Sequence, residues 1–458
     1  MTKQALPLVA TCCVMFGGLT TAAERQPNIV VFFTDDQGTL DANCYGSKDL
    51  YTPAIDELAA TGVRFTQAYS HTACCPARAL LLTGRHPQRS SVNHWTQGDA
   101  KAKKGINMFR EEVTIAEMLK DAGYRTALFG KWHLGAHLDY GPTEQGFDEF
   151  FGHRGGFIDN YRHYFLHGLG YHDLYVGKKE IFAKGEYFPD LMIDKAIDFI
   201  DRNRDKPFFM YVALNIPHYP EQADSKFDKR YEHLPMPRRS YARMISTTDD
   251  RIGKVIAKLN DANVRDDTII IFQSDNGHSS EDGYAIRVEN HTSGFPKGHY
   301  YSAHGGGGNT GKWRGAKGSF YEGGLRVPAI ISYPKRLPKG VVRDQAITLA
   351  DWLPTIAELC DARLPQVTLD GKSLLPIITS ADEPSHHKVM HWQWHTKWAV
   401  RKGPWKLIGA KDQKQWLGNL NDAEPEAKNH LDEQPEIATR LHELHNQWAK
   451  DVAPRMRK

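Results

Sequence analysis

Two short acidic segments, Asp35-Asp36 and Asp275-Asn276, and one segment carrying a thiol and an arginine hold the residue types that could process an anion. Asp35, Asp36, Asp275 and Asn276 offer oxygen donors only, and a hard, oxygen-rich set suits Ca²⁺ or Mg²⁺ rather than zinc. Each acidic pair also has an ordinary reading, since Asp-Asp opens turns and Asp-Asn-Gly is a strong turn signal. The third segment runs Cys74-Cys75-Pro76-Ala77-Arg78-Ala79-Leu80-Leu81-Leu82-Thr83-Gly84-Arg85. Pro76 fits only a first helical turn, the Ala-Leu-Leu-Leu run favours helix and Gly84 can end it. Cys74 is therefore expected at the positive end of a short helix, where free backbone N–H groups and the dipole favour negative charge. Arg78, four residues on, shares that face and can reach back to whatever Cys74 carries. The arrangement suits a nucleophile acting on an anionic group, although adjacent cysteines are more commonly small buried hydrophobes.

The elements that must position these residues are legible as alternating patterns. Asn28 to Thr34 and Thr268 to Phe272 are apolar runs of β-formers, as strands buried on both faces of a parallel sheet are, and each ends in an acidic cluster. Helical patterns at Val113 to Ala122, Asp190 to Arg202 and Tyr241 to Leu259 alternate with strands near Arg125 to Phe129 and Phe208 to Ala213. The fold class is α/β, with a mostly parallel central sheet flanked by helices, whose ligands bind beyond the carboxyl ends of the strands. Periodicity is lost from Gly277 to Gly311, a length that marks a functional loop or disorder. Beyond Leu369 to Pro376, tryptophan-rich alternating segments at Val389 to Trp394, Trp398 to Arg401 and Trp405 to Ile408 precede a helix from Ile437 to Asp451. They predict a small antiparallel C-terminal sheet with one helix, so a large domain over 24–385 is followed by a subdomain over 386–458.

The first 23 residues read as an export signal: a basic start at Lys3, an apolar run from Ala5 to Leu19 and small residues at Thr21-Ala22-Ala23. The run is shorter than a membrane span and no later segment qualifies, which argues against stable membrane insertion and for a periplasmic or secreted protein. Thr11 before Cys12 fits a lipoprotein processing site poorly. Four cysteines remain beyond the leader, Cys44, Cys74, Cys75 and Cys360, too few for a disulfide framework in 458 residues; a Cys44–Cys360 bridge is open. A net charge of +3, with no basic block beyond Lys-Ala-Lys-Lys at 101–104, argues against nucleic acid as a partner.

In order and spacing, Asp35-Asp36, Cys74 to Gly84, Gly130-Lys131-Trp132-His133-Leu134-Gly135, Pro217-His218, Asp275-Asn276-Gly277 and Lys317 with Glu322-Gly323-Gly324 resemble the motifs of the type I sulfatases, over most of residues 27–376. The resemblance implies an alkaline-phosphatase-like large domain and an exported enzyme that hydrolyses a sulfate ester, more specifically that of a sulfated saccharide. It implies that Cys74 is oxidised to formylglycine by a maturation enzyme, with Cys75 a bystander, and that a divalent cation, usually calcium, is held by Asp35, Asp36, residue 74, Asp275 and Asn276. In that family one hydroxyl of the hydrated aldehyde attacks sulfur and the other later expels sulfate. By position, Arg78 and His133 would orient and polarise the diol, Lys131 and Lys317 would bind sulfate oxygens and His218 would protonate the leaving oxygen. His153, Arg154 and Asp159 fall where the family often builds its substrate pocket, and the loop with His278, His291, His299 and His304 is a second candidate wall.

Two other readings compete. A phosphatase-like or phosphonate monoester hydrolase of the same fold would commonly use Ser or Thr as nucleophile and more than one metal, against the Cys-x-Pro-x-Arg pattern. A noncatalytic glycan-binding protein on this scaffold has no need of every catalytic residue type.

Overall fold

The computed structural model describes residues 1–2, 25–96, 105–282, 287–288, 291–411 and 413–453. The export signal read at 1–23 lies outside the described residues, apart from its first two, as does the basic run at 101–104.

The large sheet is built on β1 (Asn28–Asp35), β2 (Val63–Tyr69), β3 (Arg125–Lys131), β4 (Glu149–His153), β5 (Phe208–Pro217), β6 (Thr268–Ser274) and β7 (Arg326–Ser332), in the spatial order β2, β7, β6, β1, β5, β3, β4. Of these only β7 runs antiparallel to its neighbours. All eight residues of β1 are buried, because alternate side chains feed two different cores. Ile29, Val31 and Phe33 pack on one face and Val30 and Phe32 on the other. The first core takes in α1 (Cys74–Thr83) and α2 (Ile115–Asp121). The second is covered by α3 (Phe188–Asn203) and α4 (Arg238–Asp261).

Boundaries follow capping chemistry. Helix α2 starts two residues later than its pattern suggests, because Thr114 caps it: the Thr114 hydroxyl accepts from the Glu117 N–H while the Glu117 carboxylate accepts from the Thr114 N–H. Helix α1 ends where expected, with Gly84 in the left-handed region at φ 65°.

At the C-terminus β8 (Met390–Trp394), β9 (Lys397–Lys402), β10 (Trp405–Ala410) and β11 (Trp416–Asn419) form an antiparallel sheet. Strand β11 had no sequence signal: it is four residues long and ends in Gly-Asn, both poor strand formers. One face of this sheet packs Val400, Leu407 and Leu417 against Ala438 and Leu441 of α5 (Pro435–Val452). The other delivers Met390, Trp392 and Trp394 into the first core of the large domain. The two units are also joined by buried charge, since Lys406 reaches Glu322 and Glu426, all three at most 1% exposed.

The Cys44–Cys360 bridge is not formed: both thiols are free. Cys360 belongs to the first core and Cys44 packs against the second, so the sheet lies between them. No helix among the described residues is long and apolar enough to cross a membrane.

Candidate active site

Chain order scatters the candidate residues over 280 positions, and the parallel sheet gathers them at one edge. Pairing of β1 with β6 sets Thr34 opposite Ser274, so Asp35-Asp36 and Asp275-Asn276 leave the sheet side by side. Strand β5 ends nearby at Pro217, followed by His218, and β3 ends in Lys131. Asp36 turns sharply out of its strand at φ 68°, and its N–H donates to the Asp275 carboxylate at 3.1 Å. Gly277 is required for a different reason from the turn its sequence suggests. A Cβ there would lie 1.9 Å from the Gly323 carbonyl oxygen, so the glycine lets the segment with Lys317 close against the Asp275-Asn276 strand end.

The side chains converge tightly. Asp35, Asp36, Cys74 and His218 each present one donor atom, all within 4.8 Å of one another and all buried. The Cys74 thiol donates to Asp35 at 3.2 Å, and Lys131 Nζ lies 2.6 Å from the other Asp35 oxygen. Lys317 Nζ lies 2.9 Å from Asp36, and His218 Nε2 is 3.6 Å from the same oxygen. Arg78 is fully buried; one amino group meets Asp275 at 2.9 Å and the other donates to the Lys131 carbonyl. Arg78 thus braces the site from beneath, one turn beyond Cys74 as its spacing predicts. Asn276 donates to Asp36 at 2.6 Å, and its own Oδ1 is buried without a partner.

That orphaned oxygen and the three carboxylates are the donor set a hard divalent cation takes. The Cys74 sulfur is the one soft member, and burial together with the Asp275 and Asp35 charges pushes its thiol far above the usual range. A neutral thiol suits neither a hard cation nor nucleophilic attack, whereas oxygens at position 74 would suit both. Burial raises the Asp275 carboxyl, as does the Asp35 charge, while Lys131, His218 and Arg78 outweigh burial at Asp35 and hold it well below the usual carboxylate range. A divalent cation between the two would favour ionisation of both.

His133, at φ 54°, has both ring nitrogens buried and unpartnered, and burial with the nearby Lys131 charge disfavours its protonation. His218 donates from Nδ1 to the Tyr219 carbonyl, which leaves Nε2 as the nitrogen facing the site. Its ring stacks on Phe157, part of an aromatic wall with Tyr219 and Tyr301.

The residues read as a sugar pocket sit differently from one another. His153 is buried beside Lys131 with both ring nitrogens unpartnered. Arg154 is 1% exposed, donates to the Ala136 and His137 carbonyls and lies over the Tyr175 ring. Asp159 accepts from the Tyr161 and Arg162 N–H groups and from Gln222, closing a turn. The contacts of these last two hold loops together. Of the loop histidines, His278 packs under Gly308, His291 bonds the Leu166 carbonyl, His299 stacks on Phe295 and His304 Nδ1 meets the Tyr300 hydroxyl at 2.9 Å.

Sequence patterns missed two residues at the rim. Glu281 lies 3.3 Å from Lys317 and accepts from Tyr219 at 3.3 Å; its only signal was an acid six residues beyond Asp275. Trp95, an isolated aromatic in a polar stretch, stacks parallel to His133.

Comparison with known proteins agrees with this geometry. The sulfatase family profile matches residues 27–362, and the profile of the N-sulphoglucosamine sulphohydrolase C-terminal region matches 312–452. The chain is 32% identical to human arylsulfatase A over 417 residues, covering 84% of this chain and 75% of the relative. It is 29% identical to the N-acetylgalactosamine-6-O-sulfatase of Bacteroides thetaiotaomicron, with 92% of each chain covered. Among solved structures, Ps i-CgsB in complex with k-i-k-neocarrahexaose superposes with a TM-score of 0.80 at 27% identity, over 93% of this chain and 94% of the other.

Proposed function

Because the chain belongs to the sulfatase family and is a sulfuric ester hydrolase, we propose that it is an exported enzyme that removes sulfate from a saccharide, using formylglycine formed from Cys74 by a maturation enzyme and one Ca²⁺ or Mg²⁺ ion. The single observation that carries this reading is the charge balance around position 74. Asp35, Asp36 and Asp275 are matched by Arg78, Lys131 and Lys317 within the same cluster. A divalent cation, a monoanionic sulfate ester and a nucleophilic oxyanion at position 74 would together add no net charge to such a site, so all three can be held without an uncompensated buried charge.

Oxidised and hydrated, position 74 would supply a hydroxyl nucleophile, and a cation on Asp35, Asp36, Asp275 and Asn276 would supply Lewis-acid charge beside it. Arg78, held by Asp275 and the Lys131 carbonyl, keeps the start of α1 in register with the strand ends. The Lys131 ammonium directs one donor to Asp35 and that of Lys317 one each to Asp36 and Glu281, and their remaining donors fit nonbridging sulfate oxygens. His133, with its free ring nitrogens, accepts and returns a proton at position 74. His218 Nε2 delivers a proton to the departing sugar oxygen, and the Nδ1 bond to Tyr219 keeps it aimed. A saccharide is favoured by the saccharide named with Ps i-CgsB and by the N-acetylgalactosamine-6-O-sulfatase relative.

The test joins chemistry to turnover. Peptide mass spectrometry of the 67–85 region from active enzyme is expected to show sulfur lost and oxygen gained at Cys74, with Cys75 intact. Cys74→Ala abolishes hydrolysis of an aryl sulfate, and Cys75→Ser largely retains it. Full activity with an intact Cys74 thiol, or faster turnover of an aryl phosphonate than of an aryl sulfate, overturns the proposal. Terminal sequencing of the mature chain tests export through loss of the first 23 residues.

A further inference from the structure

Trp95 is the only exposed tryptophan among the described residues, at 40% of its surface. It does not hang on a loose loop. The Thr96 hydroxyl donates to the His133 carbonyl, and the Cys75 thiol donates to the His94 carbonyl at 3.5 Å. The Gln88 side-chain amide bridges Asn93 at 3.0 Å and the Gln393 carbonyl at 2.8 Å, and the His395 N–H donates to the Asn93 carbonyl. The segment is thus tied to the nucleophile helix, to the strand end bearing His133 and to the β8–β9 hairpin of the C-terminal sheet. Its ring lies parallel to that of His133, centroids 6.1 Å apart and planes 13° apart, and meets Trp394 edge-on at 5.3 Å. Trp394 is buried and therefore fixes the plane in which Trp95 is presented.

A large aromatic ring kept in water by so many contacts is not explained by packing alone, since the same ring turned inward would bury apolar surface. Rigid presentation instead lowers the ordering cost when a flat, partly apolar ligand stacks on it. A pyranose ring has that chemistry: C–H groups on one face and hydroxyls around its rim. The His94 and His395 rings beside Trp394 place polar edges at this rim.

We propose that Trp95, fixed by the C-terminal hairpin, is the stacking platform for the sugar unit adjoining the one that bears the scissile sulfate. The position follows from the layering. His133, 1% exposed, lies near the Lys131, Arg78 and Asp35 charges, and Trp95, 40% exposed, stacks on it. The sugar carrying the sulfate meets the histidines, and the next unit reaches Trp95. The inference rests on the saccharide reading above and deepens it, because it makes the enzyme prefer a chain over a free monosaccharide.

The experiment compares wild type, Trp95→Ala and Trp95→Phe on N-acetylgalactosamine 6-sulfate, on oligosaccharides ending in that unit, and on sulfated neocarrahexaose against its shorter fragments. The readout is the ratio of kcat/KM for the longer substrate to that for the shorter one carrying the same sulfated unit. Trp95→Ala is expected to lower this ratio on the order of 10-fold, mainly through KM, and Trp95→Phe to retain most of it. An unchanged ratio in Trp95→Ala, including one produced by equal losses on both lengths, overturns the platform and leaves the saccharide reading intact. A wild type that hydrolyses an aryl sulfate but no saccharide of any length overturns the saccharide reading, and the platform with it.

Discussion

Replacing Lys406 by methionine removes the cation that holds two buried carboxylates between the large domain and the C-terminal sheet. Lys406 Nζ lies 2.8 Å from Glu322 Oε1 and also contacts Glu426, with none of the three groups more than 1% exposed. Glu322 would keep Arg326 at 2.9 Å and the Tyr69 hydroxyl at 2.6 Å, whereas Glu426 would keep only the Glu322 N–H. Removing one member of a buried ion pair costs about 3–5 kcal/mol, chiefly because the surviving charge stays desolvated. With an unfolding entropy of about 2.1 cal/mol/K per residue, a chain of this length loses about 1 kcal/mol per degree near its midpoint, so Tm should fall by about 3–5 °C. The pH dependence has a definite sign. Burial already raises the Glu426 carboxyl, and loss of Lys406 raises it further, so the folded variant binds more protons than the unfolded chain above the normal glutamate range. Stability of the variant therefore falls as pH rises through that window, and the Tm gap to wild type should narrow between about pH 8 and about pH 5. Lys406→Met with Glu426→Gln should recover at least half of the loss. Differential scanning calorimetry decides the matter: a gap below about 1 °C at neutral pH, or one that widens on acidification, would refute the reasoning.

Chelation should lower both Tm and aryl sulfatase activity, because a cation bound only by the folded arrangement of Asp35, Asp36, Asp275 and Asn276 stabilises that state; Ca²⁺ or Mg²⁺ should restore both, and full activity in a metal-free sample counts against the ligand set. Lys317→Ala should cut kcat/KM on the order of 10²-fold for aryl and saccharide sulfates alike, since the sulfate oxygens are common to both; a loss confined to saccharides would move Lys317 to recognition. Arg154→Ala should destabilise the protein by about 2–4 kcal/mol, measured by denaturant unfolding, because it orphans the Ala136 and His137 carbonyls and leaves a cavity. A stable Arg154→Ala that loses only saccharide turnover would return Arg154 to the sugar pocket.

The α/β class, the strand runs at 28–34 and 268–272 and the helix from Cys74 were legible in the sequence, because each depends on chemistry local to the segment. Apolar runs bounded by acids, Pro76 in a first turn and Gly84 at a helix end impose the same backbone in most surroundings. The donor types and their order were legible for the same reason, and they were enough to suggest an oxygen-bound cation near a nucleophile. What a side chain does with its charge was not local. Arg154 and Lys131 look equally available in the sequence, yet one turns to the Ala136 and His137 carbonyls and the other to the Asp35 carboxylate. Gly277 reads as a turn residue until the Gly323 carbonyl is found against it. Lys406, in an alternating strand like many others, gives no sign of meeting Glu322 from 84 residues away. Trp95 is held beside His133 by a hairpin some 300 residues further along, as the bond from Gln88 to the Gln393 carbonyl, 305 residues apart, records. Residue type and short-range spacing determine which chemistry the chain can support. Which groups meet, and which are left open to a ligand, is decided only when strand register and the packing of the C-terminal sheet bring distant residues within hydrogen-bonding reach.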